Sequence, residues 1–216
     1  MGILIQDLRY GLRMLAKNSG FATVAVITLA LGIGANTAMF SMVHGVLMGP
    51  LPFKDPGRLY TLWERNLKMG YEQNAPAAAN FADWRDRNKV FERMAAFDAS
   101  RTFNLAGSGN PERVDGAAAS PSLFELLSVE PVLGRTFSAG EDQLGRDRVV
   151  LLSYGLWQRR FNADRSIAGK SITIDGRSCT VIGVMPPGFQ FPGDTGTILN
   201  IFTAPPAQLW VPLALT

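Results

Sequence analysis

The sequence predicts an α+β protein in which an amphipathic helix and one transmembrane helix precede a mixed α/β domain. Three observations predict it. Phe21 to Met48 holds no Asp, Glu, Lys or Arg over 28 positions. The 168 residues beyond Met48, enough for a domain with its own core, mix short strand and helix signals without a long regular βα alternation. Hydrophobic residues make up 47% of the chain and charged residues 18%, which excludes both a disordered chain and an all-membrane bundle. The expected segments are 1–19, a cytoplasmic amphipathic helix; 20–49, the transmembrane helix; and 50–216, the outer domain.

Residues Ile3 to Lys17 place Leu4, Leu8, Leu12 and Leu15 on one helical face. Arg9, Arg13 and Lys17 recur every fourth residue roughly opposite them. Such a helix can lie in a membrane surface, leucines toward acyl chains and cations toward headgroups. It can also touch a cytoplasmic partner, or act only as a charged leader. Asn18-Ser19-Gly20 should break it.

The uncharged run that follows rises about 1.5 Å per residue, so it reaches roughly 42 Å, against a hydrocarbon core about 30 Å thick. Buried core helices are usually shorter. Cleaved signals have an apolar region of about 7–15 residues and an A-x-A-like end. This run instead meets Gly49-Pro50-Leu51-Pro52-Phe53, so an uncleaved signal anchor is expected. Gly34, Thr37, Ser41 and His44 share one face, and Asn36 sits mid-span. Small and hydroxyl residues let membrane helices approach and hydrogen-bond, and an amide facing lipid is costly. The stripe therefore predicts packing against another helix, with His44 as a packed or interfacial residue.

Charge sets the orientation. Before the span, Arg9, Arg13 and Lys17 outweigh Asp7, giving +2; after it, 18 basic residues face 17 acidic ones, giving +1. Cations close to a span stay cytoplasmic, so the N-terminus is expected inside and the domain outside. The sequence pI near 9.2 does not signal nucleic acid, because no dense basic run exists.

Beyond Phe53, Arg58 to Arg65 is β-rich and predicts a strand. A loop runs through Pro76. Ala77 to Asn88 predicts a helix burying Phe81 and Trp84, and Val90 to Ala96 a second short helix. Phe97 to Ala106 and Glu112 to Ala119 flank Gly107-Ser108-Gly109-Asn110-Pro111, a hairpin signal. Ser120-Pro121 predicts a capped helix start with Leu123, Phe124, Leu126 and Leu127 behind it. Pro131 to Phe137 is expected as loop. Arg148 to Leu152 predicts a strand, and Ser153 the cap of a helix from Tyr154 to Phe161. Lys170 to Asp175 and Ser178 to Val184 pair across Gly176-Arg177, a tight turn of the Asp-Gly class. Met185 to Pro192 is an irregular loop, and Leu209 to Pro212 a last strand.

The chemistry of sites is nearly empty. The single cysteine, Cys179, excludes an internal disulfide. The single histidine, His44, lies in the span, so no Ser-His-Asp or Cys-His set exists outside it. No GxxxxGK[ST] loop occurs. Glu141-Asp142 and Asp83-Asp86 are carboxylate pairs of the solvated or capping kind. Arg159-Arg160 fits a pair of cations at a helix C-terminus. Phe189 and Phe191 are expected to pack on the core. The residues predict no enzyme, no catalytic or metal site, and no cofactor.

Four stretches carry a family resemblance: LALGIGANTAMFSMV, NFADWRDRNKVFERMAAF, SPSLFELLSVEPVLGRTF, and VVLLSYGLWQRRFNADRSIAGKSITIDG with VIGVMPPGFQFP. They resemble the MacB-type, FtsX-like permeases of bacterial ABC transport systems, in particular the acidobacterial-type permeases. The resemblance implies a first transmembrane helix and a periplasmic core domain with a porter-like lobe of βαβ units and a second lobe. It implies a bacterial inner-membrane location, a cytoplasmic ABC ATPase as partner, a second permease copy and a periplasmic adaptor. ATP-driven motion would pass through the membrane to the periplasmic domain, as in efflux. The family continues through further ectodomain and three more spans, so an N-terminal part of a permease is expected. The alternative is a membrane-anchored binding or regulatory ectodomain that moves no substrate. A membrane-tethered enzyme is the weakest rival.

Overall fold

The computed structural model describes residues 2–47, 53, 55–107, 109–191 and 205–214. The chain divides into two compact units, Met1–Gly49 and Pro50–Thr216.

The first unit is two helices. α1 spans Gly2–Lys17 and α2 spans Ser19–Leu47. The expected three-residue break is a single residue: only Asn18 leaves the helix, while Ser19 and Gly20 are helical. The backbone nearly continues, with Asn18 N–H donating to Met14 and Leu15 carbonyls at 3.2 Å. Ser and Gly are tolerated at a helix start, so the turn need be no longer. Met48, the expected end of the span, and four residues of its exit (Gly49 to Pro52) lie outside the described residues.

The second unit is built on a seven-stranded mixed sheet. Its strands are β3 (Phe97–Ala106), β4 (Glu112–Ala119), β5 (Leu133–Gly134), β6 (Val149–Leu152), β7 (Ser171–Ile174), β8 (Arg177–Val184) and β9 (Leu209–Pro212). They lie in the order β5-β8-β6-β9-β4-β3-β7, and β7 also pairs with the first half of β8, so the sheet closes on itself. β6 and β8 run parallel and are joined through α5 (Tyr154–Phe161), a βαβ crossover. A separate two-stranded sheet, β1 (Glu64–Asn66) with β2 (Tyr71–Asn74), stands beside α3 (Ala78–Arg87) in the sequence.

Strand alternation sends neighbours to opposite faces. Val150, Leu152 and Leu209 join α5 in one core; Leu151 and Trp210 join α4 (Ser122–Leu126) in the other. The second core is rich in rings. Trp210 meets Phe124 and Phe189 at centroid distances of 6.2 and 5.3 Å, and its indole N–H donates to the Phe191 carbonyl at 2.7 Å. Phe189 and Phe191 thus pack inward, as the sequence implied.

Two backbone devices shape the sheet. Asp175 and Gly176 both have positive φ, 47° and 75°, the mirror-image turn whose twist suits a two-residue hairpin. The turn is therefore Asp175-Gly176, one residue earlier than expected, and β8 starts at Arg177. At the β5–β8 crossing, a Cβ on Gly134 would sit 2.1 Å from the Ile182 carbonyl oxygen, and one on Gly183 2.5 Å from the Arg135 carbonyl oxygen. Only glycine lets these backbones meet.

Four expectations are corrected. The strand expected over Arg58 to Arg65 shrinks to Glu64–Asn66, because only that end finds a partner, in a β2 placed within the expected loop. The helix expected over Val90 to Ala96 does not form. Asn88 Oδ1 accepts the N–H groups of Val90 and Phe91 at 3.0 and 2.8 Å, which ends helical pairing there. Ser120 is not the cap of α4. Pro121 holds that position, and the buried Ser120 hydroxyl accepts the Ala96 N–H at 3.0 Å instead. The loop over Pro131 to Phe137 contains β5. The remaining hairpin, α5, β6 and β9 stand within one residue of their expected bounds.

Candidate functional site

Three features of the molecule are candidates for function: the helical unit, a charged brace on α5, and an open groove beside α3.

Ser19–Ser41 is a 23-residue stretch long and apolar enough to cross a membrane, and none of it is buried. Phe21 and Leu31 are 73% and 69% exposed. A helix apolar on all sides suits an apolar solvent. Thr23 and Thr28 turn their hydroxyls back onto the Ser19 and Val24 carbonyls at 2.8 Å, which satisfies them inside the helix. Gly34, Thr37 and Ser41 lie along one exposed face of α2, and Asn36 is exposed beside it; His44 lies further along the same helix. The side chains of Asn36, Thr37 and Ser41 have no hydrogen-bond partner among the described residues. Arg9, Arg13 and Lys17 sit on α1, all exposed, with no ion pair among the described residues.

The brace was invisible in the sequence. Arg159 and Arg160 are not merely dipole partners. Glu112 accepts Arg159 Nη1 at 2.6 Å and Arg160 Nη1 at 3.1 Å. Arg159 also donates to Gln208 Oε1 at 2.9 Å, and Arg160 to the Asn110 carbonyl at 2.9 Å. The Arg160 side chain is only 9% exposed, and its Nε has no partner among the described residues. The hydrogen bond from Arg159 holds the Glu112 carboxyl below its usual range, against the opposing effect of burial. The Glu and its two arginines are 47 and 48 positions apart, too far for local pattern to reveal.

Of the carboxylates expected to be solvated or capping, Glu141 and Asp86 also hold arginines. Glu141 clamps Arg135 at 2.6 and 3.0 Å and accepts the Ser138 N–H at 2.7 Å; the Arg135 bond lowers its pKa. Asp86 pairs with Arg85 at 3.2 Å. Burial pushes the Cys179 thiol up, which disfavours the reactive thiolate. No group of three His, Cys, Asp or Glu that could hold a metal occurs among the described residues.

The groove has a volume of about 610 Å³. Asn80, Asp83, Trp84 and Arg87 of α3 form one wall at i, i+3, i+4, i+7 spacing. Leu62 and Trp63 form another, and the turn from Asn88 to Met94 closes the end. The pattern over Val90 to Ala96, compatible with a helix, hides this groove in the sequence. The Asn88 side chain, bonding two residues ahead, was the available signal.

Residues 22–215 match the family model described as the MacB-like periplasmic core domain. No curated protein matches the chain. Among solved structures, the periplasmic region of MacB from Actinobacillus actinomycetemcomitans is 13% identical with a TM-score of 0.48, covering 71% of this chain and 63% of that one. The extracellular domain of the ABC-type transporter YknZ from Gram-positive bacteria is 16% identical with a TM-score of 0.42, covering 56% and 55%. The chain thus spans less than two thirds of the length of each of these structures.

Proposed function

From the premise that this chain belongs to the family of MacB-like periplasmic core domains, we propose that it is a permease component of an ABC-type transport system. α2 anchors it in the bacterial inner membrane, with α1 on the cytoplasmic face and the sheet domain outside. The cations of α1 fit the rule that Lys and Arg stay inside. Asn36, Thr37 and Ser41 seek partners that lipid cannot supply, so α2 packs on a further membrane helix, in this permease or in a second copy. A cytoplasmic ATPase supplies the energy, and α1 is the nearest element for it to grip. The chain itself performs no bond chemistry; it carries motion from the ATPase to the domain, in an efflux-like cycle.

The observation that carries this reading is the joint run of the family match: it starts at Ala22, inside an apolar helix that buries none of itself, and continues through the sheet. A photo-cross-linking residue in place of Arg9 or Arg13 tests it in cells. Adducts with an ABC ATPase subunit are expected, together with protease access to the domain in spheroplasts. A domain shielded in the cytosol overturns the topology. Full access with no ATPase adduct favours the anchored binding ectodomain instead.

A further inference from the structure

The groove beside α3 is lined wholly by residues of the second unit. Its lining is unusual for a surface. Trp63, Trp84, Phe91 and Met94 contribute much of the apolar part, and Arg87 is also among the lining residues. Aromatics, Met and Arg are the residues enriched at protein interfaces, and Trp and Arg dominate their binding energy. Val90 is 85% exposed at the mouth, and Phe91 37%.

The mouth is held open by hydrogen bonds. Asn88 accepts from Val90 and Phe91 and donates to the Phe91 carbonyl at 2.6 Å. Ser122 Oγ donates to the Met94 carbonyl at 2.8 Å, pinning the far end of the turn to α4. Val90 is thus presented by a fixed turn, and little ordering is left for a ligand to impose.

Charge supplies the other half. Nearby cations are neutralised: Arg58 by Glu92, Arg85 by Asp86, Arg93 by Glu125. Arg87 and Lys89, both lining the groove, have no ion pair among the described residues. They outnumber the one lining carboxylate, Asp83. A small molecule in so open a cleft would leave much of its surface in water, whereas ligand pockets bury most of theirs. A peptide brings its own flanks.

We propose that this groove docks a short segment of a partner protein: a bulky apolar side chain or two, flanked by carboxylates. The apolar residues seat between Trp63 and Trp84 against Phe91, and the carboxylates meet Arg87 and Lys89.

The test uses the full chain held in amphipol and a labelled, end-blocked peptide with central Leu-Phe between glutamates. Fluorescence anisotropy should show saturable binding that weakens with salt. Lysine in place of the glutamates should weaken it about tenfold or more, as like charges meet. Val90→Asp should abolish binding while leaving the unfolding midpoint unchanged. The paired change Arg87→Glu with Lys89→Glu should reverse the preference, so that the lysine peptide now binds better. Equal binding of both peptides, an unaltered preference in the charge-reversed protein, or no binding at all overturns the proposal. So does binding of anionic lipid vesicles at this groove that the peptide cannot displace, or of a free aromatic acid as tightly as the peptide.

Discussion

Helix α5 buries Leu156, Trp157 and Phe161 within eight residues, whereas α3 buries only Phe81 within ten. The Ser153 hydroxyl accepts the Leu156 N–H at 3.2 Å and caps α5; Ala77 gives α3 no side-chain cap. The two arginines ending α5 are bound to Glu112, while Arg87, ending α3, is unpaired among the described residues. α5 spends its apolar and polar groups inside the domain. α3 leaves a tryptophan half-buried and a cation free. The difference separates a helix that holds the fold from one that offers a surface, and substitutions should tell them apart.

The largest contrast is between the two tryptophans. Trp157 is 7% exposed and its indole N–H donates to the Asp164 carbonyl at 2.9 Å. Trp157→Ala should cost about 3–5 kcal/mol, the range for emptying an aromatic core site. Trp84→Ala should cost about 1 kcal/mol or less, because much of its surface is already hydrated, yet it should remove peptide binding. Pulse proteolysis across a urea series measures both in the full chain. Similar losses at the two positions would break the distinction between the helices.

Next comes the brace. Glu112→Ala leaves Arg160 buried without its counter-charge. Breaking a buried pair costs about 3–5 kcal/mol; with Glu112 30% exposed, about 2–3 kcal/mol is expected here. Adding Arg160→Met should recover most of it, since an apolar residue has no charge to desolvate. The same carboxylate gives a pH signature. Its folded pKa is depressed, so its stabilisation is complete above about 4.5, its unfolded value, and is lost as pH falls through the folded one. Asp164, lowered to about 2 by Lys170 and Ser166, gives way later in the same direction. Urea midpoints measured from neutral pH down to about 3 should therefore fall less steeply in Glu112→Ala than in the parent. An identical slope would show that Glu112 ionisation does not distinguish folded from unfolded chain.

The contrast between α3 and α5 was only partly legible in the sequence. Local signals were reliable where they were complete within a few residues: Ser153 before α5 and the glycines between β3 and β4; the Asp-Gly turn was found one residue from its expected place. They failed where the deciding partner was distant. The β-rich run over Arg58 to Arg65 pairs only at its end, because its hydrogen bonds depend on Tyr71 to Asn74. Ser120 had a good local role as a cap, but Ala96, across the fold, took its hydroxyl. Arg159 and Arg160 suited a helix end, and Glu112 gave them a second task. The uncharged run announced α2 outright, and Gly34, Thr37 and Ser41 are exposed along it. The groove stayed hidden because a pattern compatible with a helix lay over the turn that Asn88 makes.

The smallest effects concern the caps, and they sharpen the contrast most directly. Ser153→Ala removes an acceptor from the Leu156 N–H and should cost about 1 kcal/mol. Ala77 already has the extended geometry of a cap, φ −64° and ψ 148°, but no oxygen to offer. Ala77→Ser should therefore gain up to about 1 kcal/mol by satisfying a free N–H in the first turn. Both shifts are readable as urea midpoints. Peptide affinity then separates two accounts of the groove. If α3 is a fixed wall, as the hydrogen-bonded turn beside it implies, Ala77→Ser stabilises the protein and leaves affinity unchanged. If affinity falls as stability rises, docking needs α3 to loosen, and α3 differs from α5 in mobility as well as in surface.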